Sequence, residues 1–316
     1  MMNLKSYLLS MLCAMVTMSV SAYNRDPDYR KARVNGAQSR IVLNVLDDEG
    51  APVTNANVHV LMGMNYRLRS YAIDGVTDKK GRFIIEGKTT GNEIEISISR
   101  SGYYPAKKKL SFLTMGEEKK VKDGKWQPWG MGLDIRMGKI RNPVSLVVFL
   151  NGISVPAIGT WIGFDMKEKD WVYSGHRGRI SDFEVNFRWD GKPFDMSELL
   201  EMDVRFKEKY SGYYLTEPSK SSYGGVYSAD VGELYRQLLV CKIKERGSSA
   251  KVGFEYPLRM VIRSRCIVDA SGKLVSSNYS TIGALVIEGG WNTNGIVNLS
   301  YLFNPTPNDT NLEPKR

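Results

Sequence analysis

Apolar residues alternate with polar ones at a period of two in Ile41/Leu43/Val45, Val58/Val60 and Ile94/Ile96/Ile98. That spacing lines one face of a β-strand, whereas a helix of period 3.6 would scatter the same residues around its circumference. The punctuation between the runs agrees. Asp47-Asp-Glu-Gly50 before Pro52, and Asp78-Lys-Lys-Gly81, put glycine where positive φ is needed and aspartate where it can bond to its own backbone. Residues 40–113 therefore read as one small, hairpin-rich β-sandwich.

Within that stretch, Thr77-Asp78-x-x-Gly81-x-Phe83, followed about one strand later by Ser101-Gly-Tyr103, resembles the carboxypeptidase regulatory-like family, whose domain is a transthyretin-like, immunoglobulin-like β-sandwich common in secreted bacterial proteins. The matching positions serve turns and core packing. The resemblance therefore implies a fold and an accessory role that stabilises, spaces or docks a neighbouring domain, and it carries over no catalytic residue.

A chain of 316 residues exceeds what one core usually organises. Residues 114–130 collect glycine, proline and charge without periodicity, as a linker does, and the polar residues 23–39 are expected to be flexible. From residue 131 onward, strand-like runs recur at 133–137, 145–150, 161–166, 183–189, 202–206, 258–268, 284–288 and 295–303. Their spacing predicts a second, larger β-sandwich with minor helix. The helical turns would fall at 195–201 and 231–239, with Asp195 and Asp230 as N-caps. The expected fold class is all-β, in two sandwich domains. The closing Asn304-Pro-Thr-Pro-Asn-Asp-Thr-Asn-Leu-Glu313 resembles the last segment of exported proteins of unknown function from environmental and gut bacteria, and adds no chemistry.

At the N-terminus, Lys5 supplies a positive start, residues 7–20 an apolar run and Val20-Ser-Ala22 a small-residue end, which together predict a signal peptide cleaved after Ala22. The run is shorter than the ~20 residues of a membrane span. Cys13 follows Leu12 rather than the small residue that lipidation requires. An exported protein, periplasmic or secreted, with no transmembrane segment in the mature chain, is expected. Cys241 and Cys266 then lie in an oxidising compartment, where a disulfide is possible and would contribute about 3 kcal/mol; the alternative is two buried thiols acting as small hydrophobes. Neither has a second cysteine or a histidine at metal-ligand spacing.

The net charge of +10 is spread along the chain and forms no stripe interleaved with stacking aromatics, which argues against nucleic acid as partner. The two histidines are His59, between Val58 and Val60, and His176, in the glycine-flanked Ser174-Gly-His-Arg-Gly-Arg179. No Gly-x-Ser-x-Gly elbow, phosphate-binding loop or calcium loop is present, so no catalytic residue, metal or cofactor is assigned. A carboxylate pair leaves no spacing rule. Asp165, Glu184, Asp203 and Glu255 are the acids that would serve the alternative reading, a glycan-active hydrolase.

Aromatics in polar company carry the positive signal. Trp171, His176 and Arg177 fall in the 170–180 loop, and Tyr213, Tyr214 and Tyr223 in the Ser/Gly/Tyr-rich segment 210–227, expected to be a surface loop. Sugar rings stack on such side chains, and aromatic anchors dominate protein interfaces. The sequence thus predicts an exported, non-catalytic binding or structural protein of the cell envelope or extracellular space, with a glycan or an envelope protein as partner.

Overall fold

The computed structural model describes residues 26–64, 69–114, 120–189, 199–233, 235–244, 251–254, 258–288 and 295–315. The chain forms two compact units, Met1–Ile140 with Lys220–Gly224, and Arg141–Ser219 with Gly225–Arg316. The expected signal peptide and Glu255 lie outside the described residues. Among those described, no helix is long and apolar enough to cross a membrane.

The first unit contains α1 (Pro27–Asn35), β1 (Ala37–Asp47), β2 (Asn57–Met62), β3 (Tyr71–Val76), β4 (Arg82–Thr89), β5 (Ile94–Ser99), β6 (Ala106–Leu110), β7 (Val121–Lys122), β8 (Lys125–Trp126) and β9 (Met131–Met137). In one sheet β1 has β4 antiparallel on one side and β9 parallel on the other, and the β7–β8 hairpin meets it at Gln38. The other sheet runs β3-β2-β5-β6. The alternating residues Ile41, Leu43, Val45, Val58, Val60 and Ile96 meet in one core, as period two requires. At the β3–β4 turn, Asp78 Oδ1 accepts the Lys80 and Arg82 N–H groups at 2.8 Å each. Gly81 there has φ +70°, and a Cβ on it would stand 2.6 Å from the Val45 carbonyl oxygen, so glycine is required.

Two boundaries differ from expectation. The segment expected to be flexible is a capped helix from Pro27: the Asp26 carboxylate accepts the Asp28 and Tyr29 N–H groups, Pro27 stands in the first turn where no N–H is needed, and Ala32 is buried. The described part of the expected linker, residues 114 and 120–130, is also built into the first unit. Trp126 is fully buried, donates from Nε1 to the Thr89 carbonyl at 2.8 Å and stacks on Phe112. The strand that follows it, β9, pairs with β1 along seven residues. Glycine, proline and charge build tight hairpins as readily as linkers, and a parallel partner distant in sequence leaves no local mark.

The second unit contains β10 (Val147–Ser154), β11 (Trp161–Asp165), β12 (Asp170–Val172), β13 (Phe183–Trp189), β14 (Leu199–Arg205), β15 (Gly212–Thr216), β16 (Leu238–Lys244), β17 (Lys251–Phe254), β18 (Arg259–Val268), β19 (Leu274–Glu288) and β20 (Ile296–Asn304). A six-stranded sheet runs β10-β20-β19-β18-β15 with β17 also on β19, and a five-stranded sheet runs β12-β11-β13-β14-β16. Ile162, Phe164, Val185, Phe187 and Met202 from the second sheet pack with Ile262, Leu285, Leu299 and Tyr301 from the first. Both units are thus β-sandwiches, and the chain is all-β.

Among the described residues of 231–239 the expected helix does not form: Asp230 Oδ1 accepts the Gly232 N–H in a turn, and β16 begins at Leu238. Of 195–201, residues 199–201 open β14 and 195–198 lie outside the described residues. Cys241 and Cys266 are free, and Cys13 lies outside the described residues. Cys241 is on β16 and Cys266 on β18, in different sheets, and burial pushes both thiols above their ordinary pKa.

A buried ion cluster fastens the two sheets. Arg265 sits at φ +52°, where the pairing of β18 with β19 shifts register. Asp182, just before β13, accepts from Ser264 Oγ (2.6 Å), Arg265 Nε and Nη2 (2.8 Å each) and the Met166 N–H (2.8 Å). Asp165, at the end of β11, accepts from Arg265 Nη2 at 2.7 Å and from the Lys167, Glu168, Arg179 and Ile180 N–H groups. Burial weakens the hold of Arg265 on its proton, but the two carboxylates outweigh it and raise the pKa. Charges this far from water persist because each carboxylate accepts from several donors and Arg265 reaches both of them.

Candidate functional site

Because Phe183, Val185 and Phe187 of β13 and Met202 and Val204 of β14 turn into the core, period two turns Glu184, Asn186, Arg188, Glu201, Asp203 and Arg205 outward. Register then decides who meets whom. Glu184 stands opposite Arg205, Asn186 opposite Asp203 and Arg188 opposite Glu201, while Trp161 of β11 flanks Asn186. Opposite charges across neighbouring strands support the sheet. Arg205 Nε donates to Glu184 at 2.7 Å, and its guanidinium lies 3.9 Å above the Trp161 ring centroid. Lys207 also pairs with Glu184. Arg188 bridges two acids, donating from Nε to Glu201 at 3.0 Å and from Nη2 to Asp203 Oδ2 at 2.6 Å.

This outward face is not simply solvated. Glu184, Asn186 and Asp203 are each only 8% exposed, and Asn186 Oδ1 and Asp203 Oδ1 are buried with no hydrogen-bond partner. Each such acceptor costs about 1–3 kcal/mol. Three carboxylates face three cations, so the face is polar and directional without a large net charge. It can offer donors from fixed guanidinium groups, acceptors from an amide and a carboxylate, and the half-buried indole of Trp161.

The residues singled out by the sequence are distributed differently. Trp171 is a core residue, packed edge-on to Phe164 with ring centroids 5.1 Å apart and donating from Nε1 to the Ser154 carbonyl at 2.8 Å; it offers no stacking face. His176 and Arg177 do lie on an exposed loop, organised by Asp170, whose carboxylate meets His176 Nδ1 at 2.9 Å and the Arg177 N–H at 3.0 Å. Burial opposes ionisation of Asp170, but the Arg177 N–H, the imidazole and the Trp171 N–H outweigh it and hold the pKa at about 2.

The tyrosines act as fasteners rather than as a loop surface. Tyr213 and Tyr214 belong to β15; Tyr213 is buried and reaches the Leu238 carbonyl through its hydroxyl, and Tyr214 Oη accepts the Asp230 N–H. Tyr223, in the part of the chain that joins the first unit, stacks on Tyr104 at 4.9 Å. Serine, glycine and tyrosine in a row suit a contact loop and a buried corner equally well, which is why composition misplaced them.

Of the acids, Asp165 is consumed by the Arg265 cluster, while Glu184 and Asp203 share the outward face. His59, in the first unit, has an exposed cross-strand partner in Asp74 at 2.6 Å. Among the described residues, no group of three or more His, Cys, Asp or Glu side chains could hold a metal ion. Sequence reasoning missed Asn186, Arg188, Glu201 and Arg205, and with them the constellation that they form beside Trp161. The signal was available in Phe183-Glu-Val-Asn-Phe-Arg188, whose polar residues alternate as regularly as the apolar ones.

No family model matches the chain, and no curated protein matches it. Among solved structures it is similar to 3-chlorocatechol 1,2-dioxygenase from Rhodococcus opacus 1CP (18% identity, 33% of this chain, 61% of that one, TM-score 0.26). It is also similar to chlorocatechol 1,2-dioxygenase from Pseudomonas putida (14%, 33% and 61%, TM-score 0.28), and to catechol 1,2-dioxygenase from Acinetobacter radioresistens (12%, 35% and 55%, TM-score 0.27). The chain covers less than two thirds of each, and overlap at this level does not bear on function.

Proposed function

We propose that this is an exported, non-catalytic binding protein whose second unit recognises a glycan through the outward face of the five-stranded sheet. The first unit, with its carboxypeptidase regulatory-like motif, serves as the accessory domain. The observation that supports this reading is the row of interlocked guanidinium, carboxylate and amide groups beside Trp161. Sugar hydroxyls donate and accept at once, and a lattice of charge-assisted pairs presents both functions in fixed directions. The part of the indole that Arg205 does not cover adds apolar surface for ring C–H groups.

The same pairing argues against hydrolysis. A glycosidase needs a carboxylic acid free to deliver a proton to the leaving group, and Glu184, Glu201 and Asp203 are each bonded to an arginine. Affinity electrophoresis of the purified protein through gels containing neutral polysaccharides tests the reading. Retardation by at least one polysaccharide, lost in Arg205→Ala and unaccompanied by release of reducing sugar, is the expected result. Free migration of the folded protein in every gel would refute it. Release of reducing sugar that disappears in Glu184→Gln would favour the hydrolase instead.

A further inference from the structure

We infer that Asn186 and Asp203 form the hydrogen-bonding centre of this face and that it takes the vicinal hydroxyls of a neutral saccharide; the inference rests on the glycan reading above. The two residues are directly opposed in the β13–β14 pair. Each is more than nine-tenths buried on the outward side, and each carries one oxygen without a hydrogen-bond partner. Two buried acceptors side by side are a standing cost that a ligand with two adjacent donors would relieve.

The surroundings select among such ligands. An ammonium or metal ion would enter a face already holding Arg188, Arg205 and Lys207, with the other oxygen of Asp203 bonded to Arg188. A bare cation would also want more oxygen ligands than this pair supplies. Neighbouring hydroxyls of a pyranose ring suit the pair better. Their two O–H groups donate to Asn186 Oδ1 and Asp203 Oδ1, while their lone pairs can accept from the guanidinium of Arg188, which carries five donors. Trp161, flanking Asn186 in register and carrying Arg205 on its ring, adds apolar surface beside the pair.

The test is an array of xylan, mannan, galactan and arabinan, each in native form and after periodate cleavage and borohydride reduction. That treatment breaks the carbon–carbon bond of every vicinal diol and leaves isolated alcohols. Binding to at least one native polysaccharide, at least tenfold weaker on its cleaved twin, is expected. Asn186→Leu and Asp203→Asn should each weaken binding at least tenfold. Asn186→Leu should do so with a Tm equal to or above that of the parent, because it deletes a buried unpaired acceptor; a merely structural role would lower the Tm. Equal binding to native and cleaved forms, or parent-like binding by both variants while Arg205→Ala abolishes it, would overturn this centre and leave the glycan reading standing. No binding to any native polysaccharide would overturn both.

Discussion

Replacing Asp182 with alanine removes the anion on which four donors converge: Ser264 Oγ, two nitrogens of Arg265 and the Met166 N–H. Arg265 has a side chain only 14% exposed and cannot turn to water without leaving the bulge that places it. Breaking one partner out of a buried pair costs about 3–5 kcal/mol, chiefly because the remaining charge is stranded. For a unit of this size each kcal/mol lowers Tm by about 2–4 °C, so a loss of about 6–20 °C is expected by scanning calorimetry. Asp165 still reaches Arg265 at 2.7 Å and favours the lower part of that range. The control is Arg177→Ala, whose pairing with Asp170 is 3.5 Å and solvent-facing; an exposed pair contributes about 0–1 kcal/mol. A double variant, Asp182→Ala with Arg265→Met, should lose less than the sum of its parts, since the stranded charge is gone. If Asp182→Ala unfolded within 2 °C of the parent, the cluster would not be what fastens the two sheets.

Trp171→Ala should cost about 3–5 kcal/mol by urea unfolding, because the indole is core; loss of ligand binding with unchanged stability would contradict its placement. Asp170 is held at about 2 in the folded state, below the ~3.9 of an unfolded chain, so its contribution is present above about pH 4 and lost as pH falls towards 2. Asp170→Asn should therefore flatten the fall in urea midpoint between pH 5 and pH 2.5, and an equally steep fall in that variant would count against the loop's anchoring. Cys241 and Cys266 should react slowly with Ellman's reagent in the native protein and fully in urea, two thiols per chain at these positions; no reaction after unfolding would mean a disulfide.

The strands were legible because burial writes directly into spacing. Ile41/Leu43/Val45 and Phe183/Val185/Phe187 each leave one reading once the period is two. Turn chemistry was legible for the same local reason, as Asp78 and Gly81 show. What stayed hidden depends on partners far apart in sequence. Asp182 and Arg265 are 83 residues apart, and nothing near either announces the other. Asn186 and Asp203 become a pair only through the register of β13 on β14. Trp126 and Trp171 carry no local mark of burial, since an indole beside glycine, proline or charge can equally be a surface platform or the centre of a core. The tyrosines of β15 show the same ambiguity.

Hydrogen–deuterium exchange of the protein with and without a polysaccharide that retards it in affinity gels tests the proposed recognition face most directly. Slowed exchange confined to 183–189 and 199–207, with the first unit unchanged, is the expected result. Protection confined to the 173–180 loop or to the first unit, with β13 and β14 exchanging as before, would place recognition elsewhere and contradict the proposal.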